Sequence, residues 1–175
     1  MEKILYVASK NQGKIKEYRK ILSILNCKLL MQPEHIEVNE DGNTFEENAM
    51  KKASEVSLKT NNYAIADDSG LCIEALDGKP GIYSSRWAKK YGGFKNAMKM
   101  IIKLTEQKNK GRRKKNFKAH FICSLTIKFS QKKSKTVIGK VFGKISNKIK
   151  GKNGFGYDAI FIPNGHHKTF GEMSY

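Results

Sequence analysis

Two adjacent carboxylates, Asp67 and Asp68, follow the apolar run Tyr63-Ala64-Ile65-Ala66 and precede Ser69-Gly70. Neighbours along a strand point to opposite faces, so one Asp is expected to face a ligand crevice and the other a structural partner. Hard carboxylate oxygens at a phosphate site favour magnesium over zinc. Read alone, the same four residues serve equally well as an Asx turn before glycine. A second cluster, Ser9-Lys10-Asn11-Gln12-Gly13-Lys14, is a small polar loop between an apolar run and an expected helix. Backbone N–H groups at a helix start attract anions, and Lys10 and Lys14 add positive charge. The pattern GxxxxGK followed by Ser or Thr is absent, and a plain strand-to-helix turn fits the loop as well. A third cluster is Gly154-Phe155-Gly156-Tyr157-Asp158, where glycines beside an aromatic admit a flat ligand that a ring can stack on. Core aromatics account for Phe155 and Tyr157 nearly as well. Glu37, Glu40 and Asp41 offer a further carboxylate or simply a polar loop, and Ser84-Ser85-Arg86-Trp87 offers phosphate or base contacts or a helix start.

The elements that must position these groups are legible from periodicity. Ile4 to Ala8 reads as a short buried strand, and Ile15, Tyr18, Leu22 and Leu25 form one face of a following helix. Thr44 and Glu47 make a capping box for a second helix with the stripe Phe45, Ala49, Ala53 and Val56. Tyr63 to Ala66 is expected as a strand ending at Asp67, with a separate strand from Leu71 to Leu76 and a turn over Asp77 to Gly81. A third helix is expected from Phe94 to about Glu106, then a basic loop over 108–118. Phe117, Ala119, Phe121, Cys123, Leu125, Ile127 and Phe129 alternate strictly, so a long strand follows, with a return strand around Thr136 to Ile145. Helices alternating with strands early and a hairpin late give an α/β class with a mixed sheet.

At 175 residues, 39% of them apolar, the chain suits one globular domain. No apolar run reaches the roughly 18 residues of a membrane span, and the N-terminus turns polar too early for a signal peptide. A cytoplasmic protein is therefore expected. Cys27, Cys72 and Cys123 are scattered without CxxC spacing, so they read as reduced thiols. The net charge of +18 is lopsided: residues 1–77 hold 10 basic residues and 13 acids, residues 78–175 hold 24 basic residues and 3 acids. Only four of the basic residues are Arg, the side chain that reads base edges, so sequence-specific nucleic-acid binding is not expected.

Five motifs occur in order: Ala8-Ser9-Lys10-Asn11-Gln12-Gly13-Lys14, Thr44-Phe45-Glu46-Glu47-Asn48-Ala49, Ala66-Asp67-Asp68-Ser69-Gly70-Leu71, Pro80 through Trp87, and Phe155-Gly156-Tyr157-Asp158. Together they resemble the inosine/xanthosine triphosphate pyrophosphatase family over essentially the whole chain. The resemblance implies a long mixed sheet with helices on both sides and two lobes around a central nucleotide-binding cleft, a single such domain over 1–175, and a homodimer. It implies hydrolysis of ITP, dITP or XTP to the monophosphate and pyrophosphate. Ser9, Lys10, Asn11, Gln12, Gly13 and Lys14 would hold the triphosphate. Asp68 would be the catalytic carboxylate and a Mg2+ ligand, Ser69 a substrate contact, and Phe155, Gly156, Tyr157 and Asp158 the base pocket. Glu40 is expected as the second metal carboxylate, with Glu37 its competitor. Two departures stand out. Lys10 replaces a glycine usual in the family loop, and the sequence stops at Tyr175, where the family continues into a Lys and a Ser-His-Arg stretch that clamps the purine. A weaker base clamp is the corresponding expectation. The competing reading is a weakly active or inactive relative acting as a basic nucleotide- or nucleic-acid-binding protein.

Overall fold

A computed structural model describes residues 3–174. Six strands, β1 (Ile4–Val7), β2 (Lys28–Met31), β3 (Tyr63–Ile73), β4 (Lys118–Ser130), β5 (Lys133–Ile145) and β6 (Phe161–Pro163), form one sheet in the order β2-β1-β3-β4-β5-β6. β1 pairs in parallel with β2 and β3, whereas β5 and β6 are antiparallel, so the sheet is mixed. Four α-helices accompany it: α1 (Gln12–Ile21), α2 (Phe45–Thr60), α3 (Ser84–Lys90) and α4 (Phe94–Asn109). The described chain divides into two compact units, one of residues 3–68 with 123–138 and the other of 69–122 with 139–174.

In the first unit the strand period decides which helix each residue meets. Leu5, Val7 and Ile65 pack with Ile15 and Tyr18 of α1. The alternate residues Ala8, Ala64 and Ala66 pack with Ala53 and Val56 of α2. One helix therefore covers each face of β1 and β3, and the predicted α2 stripe is buried throughout. Each fully buried Val or Ile here contributes roughly 1.5–3 kcal/mol relative to exposure. The expected α1 stripe is shorter than its periodicity implied. The helix ends at Ile21 and Leu25 stands half-exposed beyond it, because the chain must turn to reach β2. Thr44 caps α2 by accepting the Glu47 N–H, but the Glu47 carboxylate reaches Asn43 N–H rather than Thr44, so the capping box is displaced by one residue.

The second unit packs Leu71, Ile73, Ala97, Met98, Ile101, Ile160 and Phe161 into one core. β5 must approach β6 closely there: a Cβ on Gly143 would lie 2.2 Å from the Ile162 carbonyl oxygen. α4 runs three residues past the expected end, to Asn109, whose buried amide bonds the backbone of Thr105 and Asn116 and closes the basic loop.

Two expectations are corrected. Residues 63–73 form one continuous strand, with a 3-10 turn over Glu74–Leu76 in place of a second strand, so Asp67 and Asp68 lie inside β3 and not at its end. In β4 the more buried row is Ile122, Ser124 and Thr126, while Phe121, Cys123, Leu125 and Ile127 are only partly buried. Thr126 meets Thr136 of β5 there at 2.8 Å, whereas the equally buried Ser124 hydroxyl has no hydrogen-bond partner among the described residues.

Candidate functional site

The alternation that sends Ile65 toward α1 and Ala66 toward α2 continues through the acid pair. Asp67 therefore meets α1 and Asp68 meets α2. Both are buried, at 8% and 7% exposure, and buried carboxylates require partners.

On the α1 side, Lys14 and Tyr18 lie one turn apart and grip Asp67 together. Lys14 Nζ is 2.6 Å from Asp67 Oδ2, and the Tyr18 hydroxyl donates to Oδ1 at 3.1 Å. Burial alone would lower the Lys14 pKa, but the Asp67 charge and hydrogen bond outweigh it and the net shift is upward. The Tyr18 phenol is also held protonated, first by burial and then by the same carboxylate.

On the α2 side, Asn48 Nδ2 donates to Asp68 Oδ2 at 3.1 Å, and Lys52 Nζ lies 3.6 Å from Oδ1. The same ammonium is 3.0 Å from Glu40 Oε1. Asn48 Oδ1 accepts the Gly42 N–H, which draws the loop bearing Glu40 onto α2. Burial raises the Asp68 pKa and the Glu40 charge adds to it, against the opposing pull of Lys52 and Asn48. Glu37 lies instead along an open groove of about 490 Å³ with Asp41, Lys51 and Glu55.

Asp68 and Glu40 thus converge on one cation, and the donor set is two hard carboxylates. Among the described residues no cluster of three or more His, Cys, Asp or Glu surrounds a single point. That composition still fits Mg2+, which commonly takes one or two carboxylates and completes its shell with waters and substrate phosphates.

The Ser9–Lys14 loop opens α1, with Asn11 as N-cap. Its Oδ1 accepts the N–H groups of Gly13 at 2.9 Å and Lys14 at 3.5 Å, and Ser9 Oγ accepts the Asn11 N–H. Two donors that sequence reasoning left open to an anion are therefore shared with Asn11. Lys10 turns to the Glu34 carbonyl, 2.9 Å away. Gln12 is exposed and Gly13 half-buried at the helix start.

In the second unit, Ser69 follows Asp68 along β3 and is half-buried. Phe155 presents a ring 39% exposed, whereas Tyr157 is 2% exposed, edge-to-face with Phe94, its hydroxyl donating to the Ser84 carbonyl. Tyr157 is thus a core residue. Gly156 adopts a φ of +64°, and Asp158 accepts the Phe155 N–H at 2.8 Å. Burial raises the Asp158 pKa against that hydrogen bond.

Sequence reasoning missed Asn48, Lys52 and the role of Tyr18. The signal was present: Asn48 and Lys52 lie at helical spacing on the same α2 stripe as Phe45, Ala49 and Val56, and a Lys on an apolar stripe needs a buried anion.

Comparison with known proteins supplies the context. The profile of the Ham1 family matches residues 5–175. A dITP/XTP pyrophosphatase of Prochlorococcus marinus subsp. pastoris is 52% identical over 176 residues, spanning 98% of this chain and 86% of its own length. A dITP/XTP pyrophosphatase of Zymomonas mobilis is 40% identical, spanning 97% and 80%. Among solved structures, a HAM1 protein from Coxiella burnetii superposes with a TM-score of 0.86 at 33% identity, covering 98% of this chain and 87% of that one.

Proposed function

The chain belongs to the Ham1 family, and from that premise we propose that it is a dITP/XTP pyrophosphatase, hydrolysing dITP, ITP and XTP to the monophosphate and pyrophosphate. The observation that carries the reading is the division of labour at the acid pair, where Asp67 is held by Lys14 while Asp68 and Glu40 converge on Lys52.

In this reading the loop Ser9–Lys14 and the positive end of α1 receive the triphosphate. Lys14 balances the charge that grows on the departing pyrophosphate, joined by Lys10 once it leaves the Glu34 carbonyl. The Asp68 carboxylate accepts the proton of the attacking water as its oxygen bonds to the α-phosphorus and the bridging P–O bond breaks. Burial, which raises its proton affinity, suits Asp68 to this role. Asp68 and Glu40 would hold Mg2+, which when bound neutralises phosphate oxygens and polarises the reacting phosphorus. Ser69, Phe155, Gly156 and Asp158 are assigned to substrate recognition, with Tyr157 supporting them from the core. Discrimination against adenine follows from hydrogen bonds to the 6-oxo group, since unpaired polar groups reject the wrong base strongly.

A homodimer is the accompanying proposal, supported by the exposed apolar residues Val137, Ile138, Val141 and Phe142 of β5. Among the described residues no helix is long and apolar enough to cross a membrane. A Mg2+-dependent pyrophosphate-release assay over dITP, ITP, XTP, ATP and GTP tests the reading. Turnover confined to the first three supports it. No turnover with any, or equal turnover of ATP, overturns it.

A further inference from the structure

Tyr18 takes no part in the chemistry above, yet its hydroxyl makes a contact on the α1 side that packing does not require. Its ring belongs to the core with Leu5, Val7, Ile15 and Ile65, and the residue is 8% exposed. A phenylalanine would fill that space equally well. The hydroxyl, buried at a desolvation cost, is spent on Asp67 Oδ1 at 3.1 Å, while Lys14, four residues earlier on the same helix, holds Oδ2 at 2.6 Å.

The terminal torsion of an aspartate is broad, so one ion pair leaves the carboxylate plane poorly fixed. Donors on both oxygens from one helix face fix it. A lysine ammonium sits on a flexible four-carbon stem and has three protons. With one proton anchored on an oriented Asp67, the other two keep constant directions for a phosphate. The hydroxyl also draws negative charge from Asp67, which leaves more of the Lys14 field available to an incoming anion. The Cys123 thiol of β4 is a further titratable neighbour of both Lys14 and Tyr18.

We propose that Tyr18 is a positioning residue for triphosphate binding: its hydroxyl orients Asp67, and Asp67 orients the Lys14 ammonium that grips the substrate phosphates. The proposal rests on the pyrophosphatase reading for the identity of the anion. It places the effect in substrate affinity, because the Tyr18 hydroxyl bonds Asp67 and not Asp68, the carboxylate assigned to water activation.

The test is Tyr18→Phe measured against wild type and against Ile15→Val, which removes one methyl from the same core without touching the hydroxyl. For Tyr18→Phe, KM for dITP rises about tenfold, the scale of one hydrogen bond to a charged group, with kcat held within about twofold. The inhibition constant of inorganic tripolyphosphate rises by the same factor. Ile15→Val changes melting temperature but neither constant. An unchanged KM and tripolyphosphate constant in Tyr18→Phe overturns the proposal, as does a loss confined to kcat or an equal rise in KM with Ile15→Val. If wild type turns over none of dITP, ITP and XTP, the pyrophosphatase reading fails separately. Calorimetric titration with tripolyphosphate then decides the role of Tyr18: weaker binding by Tyr18→Phe sustains it, and equal or absent binding in both proteins overturns it.

Discussion

The two faces of β3 solve one problem in opposite ways. On the α1 face, Asp67 is matched by a lysine at 2.6 Å and a hydroxyl at 3.1 Å, a closed arrangement in which the carboxylate serves its partners. On the α2 face, one ammonium is shared between two carboxylates, at 3.0 and 3.6 Å. Adjacent residues of one type thus acquire different work from their surroundings. In the proposed function, the first pair positions a lysine and the second holds the carboxylates assigned to the metal and the reaction.

The sharpest way to break this contrast is Asp68→Asn. Loss of a general base costs roughly a hundredfold or more, so kcat should fall by at least that factor with the melting temperature little changed. Retention of more than about a tenth of wild-type turnover refutes the assignment. Lys52→Met comes next. It leaves Glu40 and Asp68 facing one another across an apolar side chain, and we expect dITP turnover to drop about tenfold, together with a stability loss of about 2 kcal/mol read by urea titration. Asp67→Asn should instead leave kcat nearly unchanged, raise KM for dITP at least as much as Tyr18→Phe does, and lower stability. The Lys14 and Tyr18 shifts are both upward, so the folded state holds both protons more tightly than the unfolded chain. Their contribution is complete at neutral pH and is lost as pH rises past about 10, above the ordinary tyrosine and lysine values. Alkaline titration of stability should show wild type and Asp67→Asn converging above that pH. A gap that widens there contradicts the closed-pair description. The smallest effect concerns the basic half. Its seven cations between Lys108 and Lys118 should give only weak nucleic-acid association that declines linearly in log affinity with log salt, as filter binding would show. Nanomolar, sequence-selective binding in physiological salt would contradict it.

Much of this organisation was legible because burial imposes a period. Ala49, Ala53 and Val56 announced α2, and alternation announced the β4–β5 hairpin. The split of Asp67 and Asp68 onto two faces was also available, since it needs only the strand period. What the sequence hid was compensation. Asp-Asp-Ser-Gly looks like a turn because two carboxylates ordinarily end a buried strand, and β3 continues through them only because Lys14 and Lys52 arrive from distant helices. A Lys on the apolar α2 stripe signals that a buried anion is near, but no local pattern says which residue supplies it. Tyr157 misled in the other direction. An aromatic between a glycine and an aspartate suggests a binding surface, but its hydroxyl finds the Ser84 carbonyl and the ring joins the core.

The amide of Asn48 has a fixed polarity, accepting from Gly42 with one end and donating to Asp68 with the other. A Cβ on Gly42 would meet that acceptor oxygen at 2.7 Å. The mutational reach of the Asp68 carboxylate therefore extends, through Asn48, to a loop glycine. Gly42→Ala would push on one end of a rigid lever whose other end carries a proton of Asp68's hydrogen bond, and so a change in the loop's backbone is felt as a change in the acid.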